Sequence, residues 1–321
     1  MANKPKLLVT RRLPEAVEER IGLDYQACLN PKDEVYTPRR LAELSIGRDA
    51  ILAAAGDNLG PGAIENLSQG IRIIATFSVG YEHIDLETAV SRGIVVTNTP
   101  DVLTEATADI AMLLLLAAAR RAHEGEKMAR AGKWTGWAPT QLMGAELSSK
   151  RLGIVGMGRI GQAVARRARA FGMEIHYYNR NRLAQENEDG AVYHARPEEL
   201  LALSQFISLH CPVTPQTRHF LNSERISLLP DKAIVVNTAR GALLDDEALI
   251  QALKSGQVAA AGLDVYDGEP KINPRYLELD NVFLLPHLGS ATIETRNSMG
   301  FKALDNLDAF FGGKEPPDRV G

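Results

Sequence analysis

The most informative motif for the fold is Gly156-Met157-Gly158-Arg159-Ile160-Gly161. The apolar run 152–155 precedes it, and a helical pattern over residues 162–171 follows it and stops at Gly172. A second apolar run, 174–178, comes next. Glycine spacing of this kind is a weak signal by itself. Strand, turn, helix and strand in this order predict a βαβ unit that binds a dinucleotide.

Each glycine of this motif has a separate task in such a unit. Gly156 would permit the tight turn, Gly158 would let the pyrophosphate approach the backbone, and Gly161 would let the helix pack closely on the strand. Arg159 and Ile160 open the helix, whose N-terminus would face the phosphates. These residues are therefore assigned to a cofactor site.

The residues that end the second strand of the unit, Tyr178-Asn179-Arg180-Asn181-Arg182, predict which cofactor is bound. NAD enzymes usually carry an acidic residue here, which accepts hydrogen bonds from the adenosine ribose. Asn179 removes the carboxylate that would repel a 2′-phosphate, and Arg180 can pair with that phosphate. Arg182 is a second candidate contact. We predict NADPH over NADH, with NAD as the alternative cofactor; the competing interpretation is two arginines on a solvated loop.

Apolar runs alternate with helical patterns along the chain, which predicts parallel α/β structure. The runs before a long helical pattern at 102–131 are 6–10, 50–54, 71–76 and 95–96. An irregular stretch, 132–149, precedes the second series. The strands predicted in that series are 151–155, 174–178, 206–209, 233–237, 260–264 and 282–285. Together they suit one doubly wound sheet, and a helical pattern over 292–311 closes the chain.

Length and composition favour two domains and a small-molecule partner. Single hydrophobic cores stop growing at roughly 250–300 residues, and this chain has 321 residues, of which 45% are apolar. The net charge of −4 argues against nucleic acid and anionic membranes as partners. Cys28 and Cys211 form no metal-binding spacing, and the longest apolar run, 110–119, is too short to cross a bilayer. We expect a cytoplasmic protein without a metal site or export signal.

Three further segments place polar residues where buried strands end: 237–241, 267–270 and 286–290. Ligands of open α/β sheets bind beyond the carboxyl ends of the strands, so these segments should converge on one crevice. Arg240, Glu269 and His287 would meet there. Each residue type alone is more often structural or solvated than functional.

These motifs resemble those of the D-isomer-specific 2-hydroxyacid dehydrogenases, most closely the glyoxylate/hydroxypyruvate reductase branch, over essentially the whole chain. The segments that carry the resemblance, besides the glycine motif, are 77–85, 96–100, 104–109, 236–241, 262–265 and 285–290. The resemblance implies a Rossmann cofactor domain, residues 99–288, inserted into a flavodoxin-like substrate domain formed by residues 1–98 and 289–321. It also implies a homodimer.

The chemistry of a small 2-keto acid substrate explains the three polar residues. The planar guanidinium of Arg240 would anchor the substrate carboxylate and polarise the keto group. Hydride transfer to the keto carbon leaves an alkoxide, which protonated His287 could protonate. Glu269 would accept a hydrogen bond from the other ring nitrogen of His287 and so fix its tautomer.

The resemblance adds further site residues. It implies that backbone N–H groups near Val79 and Gly80 bind the substrate carboxylate and that Asp264 holds the nicotinamide amide. Trp137 belongs, in hydroxypyruvate-reducing relatives, to a dimer arm that can reach the partner's substrate pocket; simple packing at a subunit interface is the alternative. The remaining residues expected to contact the cofactor are Thr107, Cys211, Pro212, Thr217, Thr238 and Ala239.

Two other functions compete with reduction of glyoxylate and hydroxypyruvate. A 2-ketogluconate reductase would use the same three polar residues on a longer substrate. A dehydrogenase-like binding protein that senses the nicotinamide cofactor would retain them as well. The presence of Glu269 rather than an amide disfavours formate oxidation.

Overall fold

A computed structural model describes residues 4–321 of the chain. These residues divide into two compact units: residues up to Leu103 together with Ala291–Gly321, and Thr104–Ser290. The sequence placed the two boundaries a few residues earlier, after residues 98 and 288. The chain leaves the first unit once and returns to it once, as in an inserted domain.

The first unit is a five-stranded parallel sheet with helices on both faces. Its strands are β1 (Lys6–Val9), β2 (Gln26–Cys28), β3 (Ala50–Ala54), β4 (Ile73–Phe77) and β5 (Val95–Thr97). Its helices are α1 (Glu15–Asp24), α2 (Pro38–Ser45), α3 (Pro61–Glu65), α4 (Leu86–Ser91) and, from the end of the chain, α13 (Ile293–Phe311). The strand order β2-β1-β3-β4-β5 is the flavodoxin-like order, as the sequence predicted.

Alternate residues of each strand bury on opposite faces of this sheet. Leu7 and Ile73 lie in the cluster that packs against α1 and α13, whereas Leu8, Ile51 and Ile74 lie in the cluster on the other face. Strands buried on both faces read as continuous apolar runs, which is why four of the five could be predicted. Strand β2 has one exposed and two half-buried residues and no such run.

The second unit is a seven-stranded parallel sheet. Its strands are β6 (Arg151–Val155), β7 (Glu174–Tyr178), β8 (Val192–His194), β9 (Phe206–Leu209), β10 (Ala233–Asn237), β11 (Val258–Leu263) and β12 (Val282–Leu284). Its helices are α5 (Thr104–Ala119), α6 (Ala122–Arg130), α7 (Arg159–Ala170), α8 (Gln185–Glu188), α9 (Pro197–Leu203), α10 (Ser223–Ser227), α11 (Asp246–Ser255) and α12 (Pro274–Leu277), with a 3₁₀ turn at Gly241–Leu243.

The strand order β12-β11-β10-β9-β6-β7-β8 is the Rossmann order with one added edge strand. The prediction of six strands was wrong because β8, three residues long with Val192 exposed, has no apolar run. The order reverses direction between β6 and β9. That switch point is where doubly wound sheets bind their ligands.

The single helix predicted over residues 102–131 is two helices. Helix α5 ends at Ala119, and Arg121, at φ +54°, turns the chain into α6. The Arg121 guanidinium binds the Glu124 carboxylate at 2.6 and 2.8 Å, so local polar contacts replace continuation of the apolar helix. Across residues 4–321, no helix combines the length and apolar character needed to span a membrane.

The stretch predicted to be irregular, 132–149, contains no helix or strand. It presents both tryptophans of the chain to solvent, with Trp134 60% and Trp137 81% exposed.

Candidate active site

The glycine-rich turn lies at the switch point of the second sheet. Gly156 has φ +97°, a conformation that side chains other than glycine rarely adopt, and a Cβ there would come within 2.6 Å of Cys211 N. A Cβ on Gly161 would collide with the carbonyl oxygen of Gly156. Both glycines are therefore required by the packing of the turn against its own helix and the end of β9.

None of the residues 4–321 approaches Gly158 closely enough to require a glycine there. Its φ is −78°, and a Cβ there would meet no atom within 4 Å. It is the N-cap of α7 and makes no side-chain cap, so the first N–H groups of the helix, those of Arg159 and Ile160 included, face this open space. An open, donor-lined position at a helix N-terminus fits the pyrophosphate of a dinucleotide.

Asn179, at the end of β7, binds the glycine-rich turn. Its Oδ1 accepts a hydrogen bond from the backbone N–H of Met157 at 2.6 Å. Only the oxygen of the amide can accept, so this bond fixes the side chain with Nδ2 left to donate. An aspartate in the same place would offer a second acceptor instead. The donor suits a 2′-phosphate better than a ribose hydroxyl pair.

The two arginines that follow differ in their surroundings. Arg180 is exposed and takes part in no ion pair with the described residues 4–321. The guanidinium of Arg182 binds the Glu188 carboxylate through two parallel hydrogen bonds, Nε to Oε1 at 2.8 Å and Nη2 to Oε2 at 2.9 Å. Arg180 is thus the arginine of this loop that the protein leaves for a ligand.

Glu269 and His287 form a hydrogen-bonded pair at the carboxyl edge of β11 and β12. His287 Nδ1 lies 2.7 Å from Glu269 Oε2, and Glu269 Oε1 accepts from the Tyr266 N–H at 2.8 Å. The His287 side chain is 45% exposed and the Glu269 side chain 33%. Because Nδ1 is engaged, Nε2 is the nitrogen of His287 that can serve a substrate.

The charge of Glu269 is stabilised by its neighbours. Burial by itself would raise the pKa of this carboxyl, but the hydrogen bonds from His287 and Tyr266, with the positive charges of His287 and Arg240, hold its pKa below the ordinary value. Glu269 is therefore ionised throughout the neutral range.

Asp264 holds the turn that carries His287. It is fully buried, and its two oxygens accept from the N–H groups of Leu288 at 2.6 Å and Gly289 at 2.8 Å. The N–H of His287 binds the Asp264 carbonyl at 2.9 Å. Thr107 donates to the carbonyl of Gly289 at 3.1 Å. Burial raises the pKa of Asp264, against the lowering effect of these N–H donors.

The same arrangement bears on two residues assigned to the cofactor. The oxygens of Asp264 and the hydroxyl of Thr107 bind the backbone of residues 288–289. This makes them supports of His287. Their contacts with the nicotinamide end of a cofactor stay a prediction.

Arg240 lies in the turn after β10. The Asn237 side chain closes this turn by donating to the carbonyl of Arg240 at 2.8 Å and accepting from the N–H of Ala239 at 3.0 Å. Gly241 has no room for a Cβ because the backbone of Tyr266 lies against it. The turn that carries Arg240 is therefore packed directly on the loop that carries Glu269.

Burial determines the protonation of the two titratable residues that follow β9, His210 and Cys211. Burial raises the pKa of Cys211 to about 11, so its thiol stays protonated. Burial also lowers the pKa of His210 to about 4, and the neutral ring bridges Ser208 at 2.8 Å and Thr238 at 3.4 Å. Thr217 donates to the carbonyl of Pro212 at 2.7 Å and so closes the next loop.

Three residues that hold the site residues in place were not predicted from the sequence. Tyr266, Asn237 and Glu188 make the hydrogen bonds that fix Glu269, Arg240 and Arg182. Asn237 lies in a strand-end motif and could have been identified from its position. The other two could not, because their partners are set by loop packing.

In the first unit, the loop after β4 is fixed through its carbonyls. Asn98 Nδ2 donates to the carbonyl of Val79 at 2.8 Å, and the Ser78 hydroxyl donates to the carbonyl of Gly80 at 2.6 Å. Those bonds leave the N–H groups of the loop for another acceptor, which is the role predicted for them.

Comparison with known proteins supplies a family. The family model described as "D-isomer specific 2-hydroxyacid dehydrogenase, NAD binding domain" matches residues 112–289. A glycerate dehydrogenase of Hyphomicrobium methylovorum is 45% identical over 98% of this chain and 98% of its own, and a glyoxylate reductase of Thermococcus litoralis is 45% identical over 99% and 97%. An NADPH-dependent glyoxylate/hydroxypyruvate reductase of Sinorhizobium meliloti, solved with NADP and malonate, superposes with a TM-score of 0.89 at 34% identity, covering 99% of this chain and 97% of that one.

Proposed function

Because the chain belongs to the D-isomer-specific 2-hydroxyacid dehydrogenase family, we propose that it reduces glyoxylate, hydroxypyruvate and similar small 2-keto acids to D-2-hydroxy acids with NADPH. The observation that carries the proposal is the 2.7 Å pair of His287 and Glu269, held in one unit with Arg240 and a glycine-rich turn that fits a dinucleotide. The residues 104–290 would form the cofactor domain, and the first unit would bind substrate.

Each polar residue has a defined part in the reaction. The bound nicotinamide cofactor supplies the hydride. Arg240 would bind the substrate carboxylate through two parallel N–H donors and polarise the keto oxygen. His287 would give the proton on Nε2 to the oxygen as negative charge develops there. Glu269, on Nδ1, holds the ring in that orientation and stabilises its protonated form.

The preference for NADPH rests on the end of β7. The Met157 N–H fixes Asn179 with its amide donor free, and the exposed Arg180 supplies a positive charge. Both features favour a 2′-phosphate, which only accepts hydrogen bonds and carries negative charge. The Sinorhizobium meliloti reductase, with NADP in its complex, gives independent support.

The relatives also support the substrate class. Glycerate is the product when the keto group of hydroxypyruvate is reduced, so a glycerate dehydrogenase and the glyoxylate reductases carry out related conversions. 2-Ketogluconate remains the competing substrate. Val79 and Gly80 are proposed to bind the substrate carboxylate, and the protein is proposed to act as a cytoplasmic homodimer.

A substrate panel tests this function. The purified protein is given glyoxylate, hydroxypyruvate, 2-ketogluconate and pyruvate, each with NADPH and NADH, and kcat/KM is measured from the loss of reduced-cofactor absorbance. We expect turnover of glyoxylate and hydroxypyruvate with NADPH, and none with His287→Ala, although that variant should still bind NADPH. Faster turnover of 2-ketogluconate would identify the competing reductase. NADPH binding without turnover of any keto acid would support a cofactor sensor.

A further inference from the structure

The loop after β7 carries two arginines, and one carboxylate is built to hold one of them. Glu188, in α8, is bound to Arg182 by two parallel hydrogen bonds, and it accepts a third, at 2.5 Å, from the Tyr177 hydroxyl. That hydroxyl also accepts from the N–H of Leu183 at 3.2 Å. The carboxylate therefore connects the strand, the loop and the helix that follows it.

Burial differs between the two partners. The Glu188 side chain is 8% exposed, whereas that of Arg182 is 60% exposed, with its guanidinium 5.7 Å above the centre of the Tyr193 ring. The hydrogen bonds from Arg182 and Tyr177 lower the pKa of Glu188 to about 2. The pair is thus fully ionised at any pH at which the protein would work.

We propose that Glu188 limits the preference of this protein for the 2′-phosphorylated cofactor by holding Arg182 away from it. This inference rests on the proposed use of NADPH. A guanidinium that forms two parallel bonds to a carboxylate is fixed in its orientation, and its charge is largely cancelled by its partner. The phosphate then interacts with one uncompensated arginine, Arg180.

The two arginines have different roles, although they look equivalent in the sequence. Arg180 contacts the adenosine end of the cofactor. Arg182 is a positioning residue that holds the loop in place through its contacts with Glu188 and Tyr193. Loss of Arg182 and Glu188 together should therefore affect NADPH and NADH equally. Release of Arg182 from Glu188 should affect NADPH alone.

The test measures Kd values for NADPH and NADH by fluorescence titration in the absence of substrate. Glu188→Gln keeps the shape of the side chain and an acceptor for Tyr177, but removes the charge. We expect it to lower the Kd for NADPH by up to about fivefold, the upper end of the range for one exposed charge pair, and to leave the Kd for NADH unchanged. The gain should shrink at high salt.

Two further variants keep the test decisive if Glu188→Gln is poorly folded. Arg182→Gln leaves the Glu188 charge uncompensated and should raise the Kd for NADPH relative to that for NADH, whereas the double variant Glu188→Gln/Arg182→Gln should return the ratio of the two Kd values to its wild-type value. A selective loss of NADPH affinity in the double variant, or equal changes for both cofactors in Glu188→Gln, would overturn the proposal.

Arg180→Gln reports on the proposed function separately. It should raise the Kd for NADPH and leave that for NADH unchanged. If the wild-type protein prefers NADH and Arg180→Gln changes neither Kd, the NADPH assignment fails, whatever the Glu188 variants do.

Discussion

Replacement of Glu269 by glutamine tests how the active-site acid is supported. The hydrogen bond from His287 Nδ1 to Glu269 is 2.7 Å long and joins two groups that carry opposite charges when His287 is protonated. Hydrogen bonds to charged groups contribute about 1.5–3 kcal/mol. The side chains are 45% and 33% exposed, so solvent screening reduces this figure. About 1.4 kcal/mol remains as a working value, which corresponds to about a tenfold change in rate.

The assay measures kcat for keto-acid reduction at saturating NADPH. In Glu269→Gln the His287 ring loses the charged partner that orients it while it gives its proton to the substrate oxygen. The value of kcat should fall by about tenfold.

Asp267→Asn provides the matched control. Asp267 lies two residues away and pairs with Arg218 at 3.0 Å, so the same carboxylate-to-amide change is made outside the His287 contact. Its kcat should stay at the wild-type value. If Glu269→Gln keeps the wild-type kcat, or if Asp267→Asn loses as much, the Glu269 carboxylate does not support His287 in the reaction, and the reasoning is refuted.

Further predictions concern the cofactor motif, the Glu188 network and the tryptophan arm. Gly158→Ala should fold with a wild-type Tm and bind NADPH weakly, whereas Gly161→Ala, whose Cβ would collide with Gly156, should lower the Tm; equal Tm values would contradict this. The folded-state pKa of Glu188 lies below its unfolded value, so the stability it contributes is complete above about pH 5 and disappears as the pH falls to about 2; the Tm difference between wild type and Glu188→Gln should shrink over that range. Trp137→Ala should raise the KM for hydroxypyruvate if the exposed ring reaches a partner's pocket, and unchanged kcat and KM would leave it no such role.

The fold class and most of the strands could be predicted from the sequence. Residues buried on both faces of a parallel sheet must be apolar, and this constraint is local, so the runs that became β1, β6, β9 and β10 could be identified directly. The glycine-rich turn could be identified for the same reason, since its backbone conformation excludes other residues. Short edge strands such as β2 and β8 bury little and leave no pattern.

Tertiary packing determines which polar side chains form hydrogen bonds or ion pairs within the protein and which stay available to a ligand. Arg180 and Arg182 look equivalent in the sequence, but Glu188 binds only the second. Asn179 could have faced either way until Met157 fixed it. Hydrogen-bond partners of this kind come from separate loops, and their pairing depends on how those loops pack. The order of residue types along the chain does not show which loops lie close enough for these hydrogen bonds to form.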